Sequence, residues 1–171
     1  MNYLKDIKPG SIDKMNVIIE IPEGSKNKYE YDKENNVFAL DRPLNSKFGY
    51  PYDYGFVPQT HCEDGDPLDA FVIMRTPTFP GCLVPSRAIG VMIMEDGGEQ
   101  DDKLICVPAK DKYYNNIKDL KDLPKQMLDE IKHFLEHYKD VKGGKVTITS
   151  VEGKQKASEV FEGSIKMYKD L

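Results

Sequence analysis

The stretch EDGDPLDAFVIM, Glu63 to Met74, sets four carboxylates (Glu63, Asp64, Asp66 and Asp69) within seven residues, directly ahead of the apolar run Ala70 to Met74. That run suits a short buried strand. The acids at its mouth need an explanation. If Asp64, Asp66 and Asp69 pointed at one spot ~4 Å apart, each like-charge pair would cost about 4 kcal/mol at an effective dielectric of about 20. Three such pairs approach the whole stability of a domain, about 5–15 kcal/mol. Either the side chains splay into water, the commoner outcome for an acidic loop, or a cation sits among them.

Three details favour the cation. Asp64 and Asp66 are two apart and share a side if the backbone is extended. Pro67 fixes its own φ and pushes Asp66 towards an extended conformation. Asp69 opens the strand, a stiff base for a ligand. Oxygen-only donors suit Mg²⁺, Mn²⁺ or Ca²⁺ rather than zinc. An EF-hand loop counted from Asp64 fails, because its fifth, sixth and twelfth positions are Leu68, Asp69 and Arg75. A phosphatase with an aspartyl nucleophile carries its paired acids after a strand, and here the strand follows them.

Outward from this stretch the chain reads as short strands. Asn16 to Ile21 is β-branched and ends at Pro22-Glu23-Gly24; Lys28 to Tyr31 and Val37 to Leu40 flank a polar turn and predict a hairpin. Ala88 to Met94, Leu104 to Val107 and Val146 to Val151 are further strand candidates. Helical spacing appears late. Met127, Leu128, Ile131, Phe134, Leu135 and Tyr138 predict one helix, with Pro124 in its first turn and Gly143-Gly144 as its stop. Ala157, Val160, Phe161, Ile165 and Tyr168 predict a second, across Gly163. The order indicates an α+β fold, a small closed barrel with helices packed outside.

With 171 residues the chain fits one domain, 1–171, able to bury roughly 70% of its unfolded surface. No apolar run approaches the ~20 residues of a membrane helix, and MNYLKDIKPGS carries no signal-type apolar region. Cys62, Cys82 and Cys106 are odd in number and widely spaced, which argues for free thiols in a reducing cytoplasm. His61-Cys62 lacks the second pair that a soft-metal site needs. A net charge of −5 weighs against nucleic acid or an anionic membrane as partner.

A second acidic group, Glu95 to Asp102, lies between two strand candidates, and Glu20 interrupts an otherwise apolar strand. Alone, the first is a solvated hairpin loop and the second faces water on an edge strand. Together with the first cluster they could face one another across a multi-metal site. Cations are interleaved with them: Lys28, Arg42, Lys103 and Lys139. Arg42, between a strand and a proline, could grip phosphate bidentately. Tyr50, Tyr52 and Tyr54 alternate and offer hydroxyls to anionic oxygens, or simply pack in a sheet. Carboxylates, lysines, an arginine and phenols describe a site for a metal–phosphate complex.

On these residues the chain resembles the soluble family I inorganic pyrophosphatases of prokaryotic type over nearly its full length. The matching pieces are VIIEIP (17–22), KYEYDKE (28–34), LDRPL (40–44), YPYDYGFVP (50–58), DGDPLDAFV (64–72), GVMIMEDGGEQDDKL (90–104) and HFLEHYKD (133–140). The resemblance implies a five-stranded OB-type β-barrel with flanking C-terminal helices. It implies Mg²⁺-dependent hydrolysis of pyrophosphate by a metal-activated water, with several ions per site and Mn²⁺ as a substitute. It implies Asp64, Asp69, Asp101 and Asp96 as metal ligands, with Glu20 acting through water. Asp66 is then the general base with Tyr54 beside it. Lys28, Arg42, Tyr54, Lys103, Tyr138 and Lys139 hold phosphate, and Glu30 and Tyr50 support the site. A cytoplasmic homohexamer is also implied. The chain departs from the pattern at Gly97, where many relatives carry an acid, and at Asp53, often Asn, which would add a charge near Tyr54. A non-catalytic cation-binding module and an OB-type nucleic-acid binder are the rival readings. The phosphate-gripping set argues against the first and the charge against the second.

Overall fold

The computed structural model describes residues 1–139 and 144–171. In chain order the strands are β1 (Gly10–Ser11), β2 (Lys14–Ile21), β3 (Asn27–Asp32), β4 (Val37–Pro43), β5 (Asp53–Phe56), β6 (Asp69–Val72), β7 (Leu83–Asp96), β8 (Glu99–Gln100), β9 (Lys103–Pro108) and β10 (Val146–Gly153). The α-helices among the described residues are α1 (Lys125–His137), before β10, and α2 (Lys154–Lys169), after it.

Five strands close into a ring: β2 pairs β5, β5 pairs β6, β6 pairs β9, β9 pairs β7, and β7 returns to β2. The expected five-stranded barrel with outer helices is what the chain forms. Closure depends on the 14 residues of β7. Its first part, Leu83 to Ser86, pairs β2, while Gly90 to Asp96 extends past the ring to pair β10. Pro85 and the polar Ser86-Arg87 obscure that first part in the sequence, so β7 begins five residues ahead of the predicted Ala88. β5 was legible only as alternating phenols, yet all four of its residues are buried.

Alternation along the strands sorts side chains between packed layers. From β6, Phe71 joins Ile21, Tyr54, Ile105 and the α1 residues Ile131, Phe134 and Leu135; Ala70 and Val72 join Val17, Ile19, Val91 and the α2 residues Ala157 and Phe161. Pro124 takes the N-cap of α1 rather than its first turn, and the helix ends at His137 with Tyr138 as C-cap. The predicted stop at Gly143 lies outside the described residues, as does Asp140 of the quoted motif. Helix α2 runs through Gly163, where a Cβ would meet no atom within 4 Å. Among the described residues no helix is long and apolar enough to cross a membrane.

β3 and β4 form a separate two-stranded sheet. It docks on the barrel through Tyr31 and Phe38, which pack with Tyr3, Leu4, Ile18 and Phe56. This hairpin is the predicted one, with Lys28 opposite Arg42 across it.

Pairing direction decides where the site lies. β6 and β9 are parallel, with Asp69 opposite Lys103. Each acidic group immediately precedes one of these strands, so both are delivered to one end of the barrel. β7 arrives antiparallel at the same end and turns through Gly97 and Gly98, with φ of 61° and 89°, before Glu99 pairs back to Asp96. A two-residue turn with two positive φ values favours Gly, Asn or Asp at its first position and Gly at its second, which Gly97-Gly98 satisfies.

Candidate active site

A cavity of about 460 Å³ opens at this end of the barrel. Its wall gathers Glu20 from β2, Lys28 and Glu30 from β3, Tyr54 from β5 with Tyr50 just before it, and Asp69 from β6. Asp64 and Asp66 come from the preceding turn, Asp96 from β7, Asp101 and Lys103 from the start of β9, and Tyr138 and Lys139 from the end of α1. Of the residues given a ligand, base, phosphate-holding or supporting role in the sequence, Arg42 alone is not in the wall. It hydrogen-bonds Asp41 at 2.5 Å, beside Lys28 on the hairpin.

Lys103 sits at the centre and is 4% exposed. Its Nζ donates to Asp69 Oδ2 at 2.6 Å and to Asp101 Oδ1 at 2.5 Å. The Tyr54 hydroxyl donates to the same Asp69 oxygen at 2.6 Å. Burial works against the Lys103 charge, but the Asp69 and Asp101 carboxylates outweigh it and hold the ammonium well above its ordinary range. Burial raises Asp69 and Asp101 above the usual carboxylate values in spite of that lysine. Asp64 is raised by burial and by the neighbouring Asp66 and Asp69 charges. Burial also carries the Tyr50 and Tyr54 phenols well up, so both remain donors at neutral pH.

At the rim, Lys28 pairs with Glu30 and lies 3.4 Å from Asp41, while Lys139 pairs with Asp96. In both lysines burial opposes the charge and the acidic partner more than restores it.

The DGDPLD turn differs from the extended segment expected. Gly65 adopts φ +86°, its N–H donates to the Cys62 carbonyl, and the Asp66 N–H donates to Asp64 Oδ1 at 3.0 Å. Asp64 and Asp66 are therefore presented by a tight turn closed by a side chain, not by strand alternation. The turn is pinned to the barrel by Val57, whose N–H donates to the Leu68 carbonyl, and by Thr60, whose hydroxyl accepts from the Leu68 N–H. Glu63 is exposed.

Glu20 is likewise not on a wet face. It points into the cavity, accepts the Tyr31 N–H at 2.7 Å, and is pushed up to about 8 by burial and by Asp69. A folded chain that holds a proton at pH 5–8 which the unfolded chain has released loses stability as pH rises through that window. Glu20→Gln, which mimics the protonated form, should therefore melt with the wild type at pH 4.5 in chelator. At pH 8.5 it should melt higher by about 2–6 °C. Equal melting at both pH values would show that the charge is solvated.

Asp53 does not add charge beside Tyr54. Its buried carboxylate points the other way and accepts from the Glu23 N–H, the Thr78 N–H and the Thr78 hydroxyl. The three cysteines are free thiols, and burial together with Asp64 and Asp69 pushes Cys62 up to about 12, which keeps it protonated and a poor soft-metal ligand. Sequence reasoning missed Lys33, whose Nζ lies 2.5 Å from Asp66 Oδ1. It also missed Asp102, which accepts from the Met94 N–H and from Gln100 and so braces the β7–β9 connection. The Lys33 signal lies inside the KYEYDKE block; only the hairpin fold brings it to the acids.

Among the described residues the wall carries eight carboxylates (Glu20, Glu30, Asp64, Asp66, Asp69, Asp96, Glu99 and Asp101) against four lysines (Lys28, Lys33, Lys103 and Lys139). Acids in such excess, with Glu20, Asp64, Asp69 and Asp101 raised by burial, form an oxygen donor set short of positive charge. That chemistry fits a hard divalent cation. Among the described residues no three acidic, histidine or cysteine side chains converge on one point, since Lys103 engages Asp69 and Asp101.

Comparison with known proteins gives consistent findings. A family model described as inorganic pyrophosphatase matches residues 17–169. The inorganic pyrophosphatase of Synechocystis sp. is 50% identical over 155 residues, 91% of this chain and 92% of that protein. Among solved structures, inorganic pyrophosphatase from Thermus thermophilus superposes with a TM-score of 0.93 at 40% identity, covering 98% of this chain and 99% of that one. An inorganic pyrophosphatase from Coxiella burnetii gives 0.92 at 42% identity, covering 95% and 99%.

Proposed function

The chain belongs to the inorganic pyrophosphatase family, and from that premise we propose that it hydrolyses pyrophosphate to two phosphates with Mg²⁺ as cofactor and Mn²⁺ able to substitute. The observation that carries this reading is the wall of eight carboxylates interleaved with four lysines at one end of the barrel. A diphosphate is repelled by such a wall unless divalent cations accompany it.

In this reading Asp64, Asp69 and Asp101 are the principal ligands, Asp96 holds a further ion, and Glu20 acts through water. When bound, divalent cations neutralise phosphate charge and lower the pKa of a coordinated water from about 15.7 towards neutrality. The remaining work belongs to the chain. Asp66, exposed at the mouth of the cavity, accepts the proton of the attacking water. Tyr54 donates to Asp69 and fixes that carboxylate next to Lys103. Lys28, Lys103, Tyr138 and Lys139 line the path of the phosphate oxygens. Arg42 joins them from the hairpin by turning away from Asp41. Glu30 holds Lys28, and Tyr50 packs against Tyr54 with ring centroids 5.3 Å apart. Water attacks one phosphorus in line, the bridging oxygen leaves with the other phosphate, and no covalent phosphoenzyme is required. Positioning and charge stabilisation supply most of the rate.

The same reading takes residues 1–171 as one domain, working in the cytoplasm as a homohexamer with no nucleic-acid or membrane partner. Purified protein should release phosphate from pyrophosphate with Mg²⁺ and release none in chelator. Absence of release with Mg²⁺ overturns the proposal.

A further inference from the structure

Of the four lysines that the described residues place in the cavity wall, Lys33 alone has no part in the reaction proposed above. It sits in the turn between β3 and β4, on the sheet that stands apart from the barrel. Its Nζ reaches Asp66 Oδ1 at 2.5 Å, and among the described residues Lys33 is the one side chain that binds the Asp66 carboxylate.

We infer that Lys33 is a positioning residue for Asp66, joining the hairpin to the acidic turn so that the two elements aim this carboxylate as one piece. The inference rests on the reading of Asp66 as the base.

Both ends of the link are braced. On the hairpin, Asp32 accepts from the Glu34 and Asn35 N–H groups and from the Asn35 amide, and Tyr31 donates its hydroxyl to Asn36, which holds φ +58°. The hairpin is seated on the barrel by Tyr31 against Phe56, centroids 5.9 Å apart, and is flanked by Tyr3, edge-on to Tyr31 and to Phe38 with centroids 5.3 Å apart in both pairs. On the other side, the Asp66 carbonyl accepts the Cys62 N–H and its own N–H is held by Asp64. The backbone at each end is therefore fixed, but the Asp66 side chain, 63% exposed, is free to rotate in water unless something holds it.

An ion pair whose side chains are 50% and 63% exposed contributes little to folding. Its effect on a base is different, because small errors in placing a reacting group cost large factors in rate. The two roles therefore separate experimentally: a stability role shifts the melting temperature, and a positioning role shifts turnover alone.

The test compares Lys33→Met, Lys33→Arg, Asp66→Asn and Lys33→Met/Asp66→Asn. Lys33→Met should lower kcat by about 10-fold, with KM for pyrophosphate within about twofold and melting within about 2 °C of wild type. Lys33→Arg should recover most of the loss. In the Asp66→Asn background Lys33→Met should change nothing further, because the group it aims is already disabled. In metal-free protein without substrate, NMR relaxation of the Asp66 side chain should report greater mobility in Lys33→Met and wild-type mobility in Lys33→Arg, and equal mobility in all three overturns the inference. A raised KM, or a loss that persists in the Asp66→Asn background, overturns the inference in favour of direct substrate contact. Unchanged kcat in Lys33→Met with an active wild type overturns it while leaving the proposed activity standing; a wild type that turns over no pyrophosphate defeats both.

Discussion

Asp66→Asn should lower pyrophosphate turnover by about 10²–10⁴-fold, the usual contribution of a general base, while Mg²⁺ affinity stays within about threefold of wild type. The reasoning starts from what asparagine preserves. It has the shape of aspartate, and the backbone contacts that build the turn do not involve the carboxylate: the Asp66 N–H to Asp64 Oδ1, and the Asp66 carbonyl from the Cys62 N–H. The amide oxygen can still accept from Lys33. Asp64, Asp69 and Asp101 keep their positions, so cation binding survives. What is lost is the ability to take a proton. Phosphate release and isothermal titration of Mg²⁺ on the same preparation separate the two effects. Turnover at the wild-type rate would remove Asp66 from the chemistry, and a parallel collapse of Mg²⁺ binding would make it a ligand instead.

The second large effect is expected at Lys103. Removing one partner from a buried ion pair typically costs about 3–5 kcal/mol, because the charge left behind is uncompensated. Lys103→Met leaves two such charges, Asp69 and Asp101, each with a side chain about one-fifth exposed. Solvent access puts the expected cost near the lower end, a fall in melting temperature of about 6–12 °C at pH 7 in chelator. Both carboxylates already sit above their usual pKa through burial, and losing the ammonium raises them further. A carboxyl group with a raised folded pKa destabilises the fold only where the unfolded chain has lost its proton. The gap between variant and wild type should therefore shrink on acidification towards pH 4 and widen above it. Mg²⁺ should recover more stability in the variant than in the wild type, since in the wild type it must compete with Lys103 for the same oxygens. A variant that melts with the wild type at pH 7 would mean that water already compensates Asp69 and Asp101.

Much of this molecule is written locally. Alternating or continuous apolar residues locate β2, β6, β9 and β10, spacing at 3.6 residues locates α1 and α2, and the acids before Ala70 announce a cation-dependent site. Patterns of this kind survive because a strand or helix face is set by residues a few positions apart. Other features were invisible for the same reason. The parallel pairing of β6 with β9, which brings two acidic segments to one end, depends on how the ring closes through β7. The turn at Gly65 replaces the extended segment that Pro67 suggested, because hydrogen bonds to Cys62 and Asp64 outweigh a local preference. Asp53 and Tyr54 are adjacent in sequence and face opposite ways. Lys103 reads as one more surface lysine until two carboxylates are packed against it, and Lys33 reads as a turn residue until the hairpin carries it to Asp66. The sequence alone determined which residues could do chemistry and which segments form strands and helices, since those properties belong to side chains and short repeats. Which charges meet, and which are shielded from water, was decided only by the tertiary structure, because an electrostatic environment is made by neighbours that the chain brings together from far apart.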